Sequence, residues 1–213
     1  MNEHGDTTAA TVTVTVTDQR LIRGARTRRR IARHGVDVAS LEGLDGLSIG
    51  RLAADLELSK SGVQTLFGTK ENVQLAVAGV AREEFTAAVI RPAHSAPPGA
   101  ARLRALTERW VDYAQAPLFA GGCFWAACLP AFDSRPGKVR DTLALHRREW
   151  LALLAAELRR AVDAGEIVEP DVDLTAFQID AVLLATNTAL RLGESDAAAR
   201  ARRAVDRLLG PRG

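Results

Sequence analysis

Four polar residues, Lys60, Ser61, Gln64 and Thr65, fall one and four positions apart in a short stretch bounded by Ser59 and Gly68. On a helix this spacing groups them on one face, away from Val63, Leu66 and Phe67. Their chemistry suits contact with nucleic acid. An ammonium or hydroxyl holds phosphate oxygens, a Gln amide pairs bidentately with adenine, and a Thr methyl meets the methyl of thymine. Thr27, Arg28, Ser48 and Lys70 add hydroxyls and cations at or near expected helix starts, where free backbone N–H groups favour phosphate. Taken singly, each is also readable as an exposed side chain with no role.

These groups need two short helices to position them. Ser48 is a natural N-cap, followed by Ile49, Leu52, Ala53 and Leu56 at helical spacing. Leu58 precedes a second cap, Ser59. Val63, Leu66 and Phe67 supply the apolar face of the next helix, which Gly68 breaks before Thr69 caps another. Helix, tight turn and helix make a helix-turn-helix. The helix before it is expected from Leu21 or Thr27 to Glu42, with Ile31, Gly35, Val38 and Ala39 inward and Gly43 ending it. The one after it runs from Lys70 toward Val89. At about 20 residues and 1.5 Å rise it is close to 30 Å long, enough to bridge two domains.

Residues 27–76 resemble the DNA-binding domain of the tetracycline-repressor (TetR) family. The shared elements are Thr27-Arg28…Ile31, Gly43, Ser48, Leu52-Ala53, Ser59-Lys60 and Phe67…Lys70. Three positions depart from that pattern. Glu57 stands in the turn where Gly is usual; because a side chain at positive φ costs roughly 1 kcal/mol, the turn is expected to adjust its geometry. Gln64 replaces an aromatic in the recognition helix, and Gly35 replaces a small Ala in the first helix. The resemblance implies a sequence-specific transcriptional regulator, most commonly a repressor.

Composition agrees with a globular regulator. Of 213 residues, 47% are hydrophobic and 25% charged, and the net charge is +2. Residues 20–33 hold seven arginines and no acid, while residues 92–213 are nearly balanced, so the basic excess lies where phosphates would be neutralised. Cys123 and Cys128, with no His at metal spacing, suggest buried free thiols and no zinc or other cofactor. No apolar run approaches the roughly 20 residues of a membrane span and no secretory signal is recognised, so the protein is expected to be cytoplasmic, without membrane partners. The four histidines are scattered, and there is no phosphate loop or nucleophile elbow, so no catalysis is expected. The alternating Thr/Val segment has no partner strand, and residues 1–19 are read as a disordered tail.

The breaker cluster from Arg91-Pro92 to Pro97-Pro98-Gly99 divides a helix-turn-helix domain with its connecting helix (20–91) from a second domain (92–213). The latter also reads as helical: residues 100–116 ending at Pro117, a short helix from the Gly121-Gly122-Cys123 region stopped near Pro130, then Lys138–Ala164, Val172–Leu192 and Ser195–Leu209. The class is therefore all-α. The elements GGC (121–123), RPG (135–137), AGEI (164–167) and DVD (171–173) resemble the C-terminal domain of one TetR subgroup.

Most aromatic residues lie beyond residue 100. Trp110, Tyr113, Phe119, Phe124, Trp125 and Trp150 are candidates to line a ligand cavity, with His146 and Asn187 as polar orienting groups. Phe177, Ala181, Leu184, Ala185 and Thr188, extended by Val205, Leu208 and Leu209, mix large and small residues and form a candidate homodimer face. The family resemblance implies a four-helix bundle there. The resulting expectation is a dimer that binds a pseudo-palindrome of double-stranded DNA and is released by a small apolar or amphipathic effector. The alternatives are a ligand-independent architectural DNA binder, or a degenerate family member acting as an interaction module.

Overall fold

The structure, a computed structural model, describes residues 16–116, 118–168 and 171–210. Residues 1–15, with most of the Thr/Val segment, and Pro117 lie outside the described residues. The elements are α1 (Val16–Glu42), a 3-10 turn (Leu44–Gly46), α2 (Ile49–Asp55), α3 (Lys60–Phe67), α4 (Lys70–Phe85), a π-helical turn (Thr86–Ile90), α5 (Arg91–Ala93), α6 (Ala100–Gln115), α7 (Phe124–Phe132), α8 (Lys138–Asp163), α9 (Val172–Arg191) and α10 (Ala197–Leu209). Among the described residues there is no strand, and no helix is long and apolar enough to cross a membrane.

Local sequence sets the first four helices as expected. Ser48, Ser59 and Thr69 each cap a helix, accepting from the backbone N–H three residues on (Arg51, Gly62 and Asn72, each 3.1 Å). Leu52, Ala53, Val63, Phe67, Val73 and Ile31 close a small core between α1, α2, α3 and α4. Gly35 is buried where α1 crosses α4, and a Cβ there would meet Val77 Cγ2 at 2.6 Å. The missing methyl is therefore what lets these two helices approach.

Several boundaries differ from the sequence reading. Helix α1 begins at Val16, taking in part of the expected tail, because nothing between Val16 and Thr27 breaks a helix and the Arg-rich run has good helix propensity. The turn after α2 keeps its left-handed geometry despite its side chain: Glu57 has φ 55°, with Leu58 N–H donating to Ala53 O (2.8 Å) and Glu57 N–H to Ala54 O (3.2 Å). This is a Schellman closure, whose two hydrogen bonds and inward Leu58 offset the strain.

The helix that starts at Lys70 does not stop at Arg91-Pro92. It widens into the π turn, in which Arg91 N–H bonds Thr86 O, and continues to Ala93. A proline ring clashes with the carbonyl four residues back, and the wide turn moves that carbonyl aside. Pro130 likewise sits inside α7 instead of ending it, since burial of Cys128 and Phe132 on the same face carries the helix past it.

The second half of the chain is a helical layer around α6, α8 and α9. The start of α6 is fixed by two carboxylates: Glu157 accepts from Gly99 N–H (2.9 Å) and Glu166 from Ala100 N–H (2.7 Å). Asp171 caps α9 through Leu174 N–H (3.0 Å). The family-like AGEI and DVD elements thus have local structural tasks.

A polar seam joins the two halves along the C-terminal part of α1. Gly121 N–H donates to Ser40 Oγ (2.8 Å), Ala120 N–H to Asp37 Oδ1 (3.1 Å) and Arg33 Nη2 to Leu118 O (3.0 Å). Arg135 pairs with Asp45 across the same seam (2.5 Å).

Candidate functional site

Helix α3 presents Lys60, Ser61, Gln64 and Thr65 together on an exposed face, with Val63 and Phe67 buried behind them. Three of these side chains are hydrogen-bonded within the helix and its caps. Gln64 Nε2 donates to Gly68 O, Thr65 Oγ1 to Ser61 O (2.9 Å), and Ser61 Oγ lies 3.5 Å from Ser59 Oγ. None of these bonds buries the group, so all can be exchanged for contacts to a base or phosphate. Lys70 opens α4 and donates to Asp45 O (2.8 Å), and Ser48, the cap of α2, is exposed.

Two of the proposed phosphate contacts look different in three dimensions. Thr27 is not at a helix start but eleven residues inside α1, where its N–H belongs to the helix ladder. Arg28 points inward: its guanidinium lies 4.5 Å from the Phe67 ring centroid and donates to Leu66 O. It clamps α1 onto α3 more than it faces solvent. The arginines of α1 that are exposed and have no ion pair among the described residues are instead Arg20, Arg23, Arg26 and Arg30.

A cavity of about 280 Å³ lies between α4, α6, α7, α8 and α9. Of the expected lining residues it gathers Trp110, Trp125, His146 and Trp150. Tyr113, Phe119, Phe124 and Asn187 are elsewhere. Phe119 and Phe124 are fully buried core, and Tyr113 Oη accepts from Phe124 N–H (3.1 Å). Asn187 Oδ1 accepts from Cys123 N–H (2.8 Å), so it orders the start of α7. An aromatic pattern does not by itself separate wall from core, because both need the same side chains.

The sequence reading missed Phe85, Thr86 and Ile90, which line the cavity from the far end of α4 and the π turn. The sequence groups them with the DNA-binding unit, because the breaker cluster follows them. Phe85 is the hub of the wall, meeting Trp125 edge-on at 5.1 Å and Trp150 at 5.5 Å. Two ion pairs close the polar side, Arg82 with Glu149 (2.6 Å) and Arg147 with Asp180 (2.9 Å). Asp180, on α9, is buried. Burial pushes its carboxyl above the usual range, and Arg147 opposes that. Burial and then repulsion from Arg82 hold the His146 imidazolium below its ordinary pKa, so the ring is neutral in the wall. Cys123, also in the wall, and Cys128 are buried free thiols, and burial pushes Cys128 up to about 12.

The candidate dimer residues divide. On α9, Phe177 is 53% exposed and Ala181, Ala185 and Thr188 are exposed with it, in line with Leu174 and Leu192. Leu184 turns to the cavity and Leu208 is half-buried. Val205 and Leu209 are 2% and 1% exposed and pack against the rest of this subunit, which removes them from any external face. The outer side of α10 carries Arg203 and Arg207 instead.

Comparison with known proteins places this geometry. No curated protein matches the sequence. A regulator of the TetR family from Chloroflexus aurantiacus J-10-FL is similar with a TM-score of 0.79 and 23% identity, over 88% of this chain and 94% of its own. AibR, solved with isovaleryl coenzyme A and operator DNA, gives 0.69 and 17% over 86% and 99%. A transcriptional regulator from Saccharomonospora viridis, solved with choline, gives 0.71 and 18% over 86% and 95%. These likenesses concern the fold. The family model described as the tetracyclin repressor-like C-terminal domain matches residues 99–205, half of the chain. With an all-α fold, a capped helix-turn-helix and this C-terminal domain, the chain belongs to the tetracycline-repressor family of transcriptional regulators.

Proposed function

We propose that the protein is a dimeric repressor that binds a pseudo-palindromic operator in cytoplasmic DNA and releases it when a small apolar or amphipathic effector fills the cavity. The observation that carries this reading is the shared helix. Lys70 and Val73 of α4 belong to the helix-turn-helix, while Arg82 and Phe85 of the same helix, with Thr86 and Ile90 of the π turn, form a wall of the cavity. A ligand that displaces that wall moves the element that orients α3. The seam from Ser40 to Gly121 gives the cavity domain a second grip on α1.

Dimerisation is supported by the apolar stripe of α9, since a lone module reads few base pairs and a two-fold pair reads two half-sites about 34 Å apart or a multiple of it. Two relatives of similar fold were solved with small molecules, one of them also with operator DNA. On this reading Lys60, Ser61, Gln64 and Thr65 face the major groove, and Ser48 and Lys70 hold phosphates.

The test is fluorescence anisotropy on DNA upstream of the protein's own coding sequence, against a scrambled duplex at about 150 mM salt. A preference of about 10³ or more is expected. Equal binding to both duplexes would support an architectural role instead, and no binding to either would support an interaction module.

A further inference from the structure

The chemistry of the cavity wall narrows the class of molecule it accepts, given the reading of this cavity as the effector site. Two residues of the wall each carry a buried ring nitrogen with no hydrogen-bond partner in the protein, Trp125 at Nε1 and His146 at Nδ1. These nitrogens are the only such side-chain atoms among the described residues. Their rings lie 6.1 Å apart, edge to face, on one stretch of wall. An indole N–H can only donate, so whatever meets Trp125 must offer an acceptor. The imidazole, with one N–H and one lone pair, adapts to either partner.

The charges around the cavity cancel. Arg82 and Arg147 are each paired with a carboxylate of the same wall, Glu149 and Asp180. Neither acid is free to hold a cation, so a quaternary ammonium would find only the aromatic faces of Phe85, Trp110, Trp125 and Trp150 and no counter-charge. Nor is either arginine free for a strong anion. An engineered cavity of 150 Å³ holds benzene, so about 280 Å³ suits a molecule of roughly ten to fifteen non-hydrogen atoms.

We propose that the cavity binds a compact, uncharged ring compound bearing an oxygen acceptor, of the ketone, lactone or ester type, whose oxygen takes the Trp125 indole N–H. The aromatic box covers the ring, and His146 Nδ1 meets a second polar edge.

The test is isothermal titration of the full chain with four probes of similar size: 1-tetralone, tetralin, hydrocinnamate and benzyltrimethylammonium. Tetralone should bind about tenfold more tightly than tetralin, because the hydrocarbon leaves a buried donor unmet. In Trp125→Phe that ratio should fall to about one while tetralin affinity is kept. Should Trp125→Phe not fold, the indole N–H proton resonances of the parent protein provide the second measurement. One of the three should move downfield with tetralone and not with tetralin.

Equal affinity for tetralone and tetralin would mean that the ligand oxygen does not reach the donor, and would overturn the proposal. Tighter binding of the ammonium or the carboxylate, or no binding of any probe, would overturn it too. The regulatory reading fails separately: if tetralone binds the free protein but leaves its DNA complex intact, the acceptor assignment stands and the effector role falls.

Discussion

Replacing Gly121 with Ala tests whether the seam between α1 and the cavity domain is as close as the structure has it. A Cβ on Gly121 would lie 2.0 Å from Ser40 O and 2.2 Å from Ser40 C. Ordinary carbon–oxygen contacts begin near 3.3 Å, so the two backbones must separate by about 1.3 Å. Ser40 O is main chain and cannot rotate away, and the neighbouring bonds from Ala120 to Asp37 and from Arg33 to Leu118 hold the same spacing. Overpacking of this kind costs roughly 1–3 kcal/mol. Loss of the buried Gly121 N–H bond to Ser40 Oγ adds about 1 kcal/mol or more. The entropy that Ala removes from the unfolded chain returns only about 0.4–1 kcal/mol.

Gly121 has no left-handed φ, so the expected net loss of about 1–4 kcal/mol is steric in origin. Urea unfolding at fixed protomer concentration measures it. Gly79→Ala is the control, because that site in α4 has no atom within 4 Å of the new methyl and gains helix propensity, about 1 kcal/mol of stabilisation. A Gly121→Ala protein within about 0.5 kcal/mol of the parent, below the whole range expected for overpacking, would refute the close seam and the coupling route built on it.

Further predictions follow from the same geometry. Glu57→Gly should raise stability by roughly 0.5–1 kcal/mol in urea melts, while Glu57→Ala should not, because only glycine relieves φ 55°. Lys60→Gln should leave stability unchanged and reduce the salt slope of operator binding by about 1, whereas Arg28→Gln should cost about 1–2 kcal/mol of folding stability through lost packing on Phe67. A histidine with a depressed folded pKa contributes stability that is complete above its unfolded value of 6.5 and is lost as pH falls through the folded value; thermal melts of His146→Leu should therefore fall less between pH 7 and pH 5 than those of the parent. Phe177→Glu should give a folded monomer in sedimentation analysis with markedly weakened operator binding; a dimer of unchanged affinity would move the two-fold contact elsewhere.

The helix-turn-helix was legible from residues alone because its determinants are local. Caps at Ser48, Ser59 and Thr69 act within one turn, and the 3.6-residue period sorts Val63 and Phe67 from Lys60 and Gln64 with no knowledge of the rest of the chain. The same holds for the ends at Gly43 and Gly165, where a positive φ falls on glycine.

What the sequence left undecided depends on which far-off segment an element meets. Periodicity marks Val205, Leu209 and Phe177 alike as one side of a helix, and only packing of α10 on α9 and α6 buries the first two and leaves Phe177 out. Tyr113, Phe124 and Trp125 are all aromatic, and the fold alone makes two of them core and the third a wall. Pro92 and Pro130 read as stops because a proline removes one hydrogen bond, yet burial of Ala93 and Phe132 beyond them repays that loss. Glycine gives the sharpest contrast. Gly35, Gly121 and Gly165 are the same residue in the sequence, but the first admits Val77, the second admits the backbone of Ser40 and the third turns a helix end. Local hydrogen bonding is written in neighbouring residues, whereas close approach between distant backbones exists only once the chain has folded.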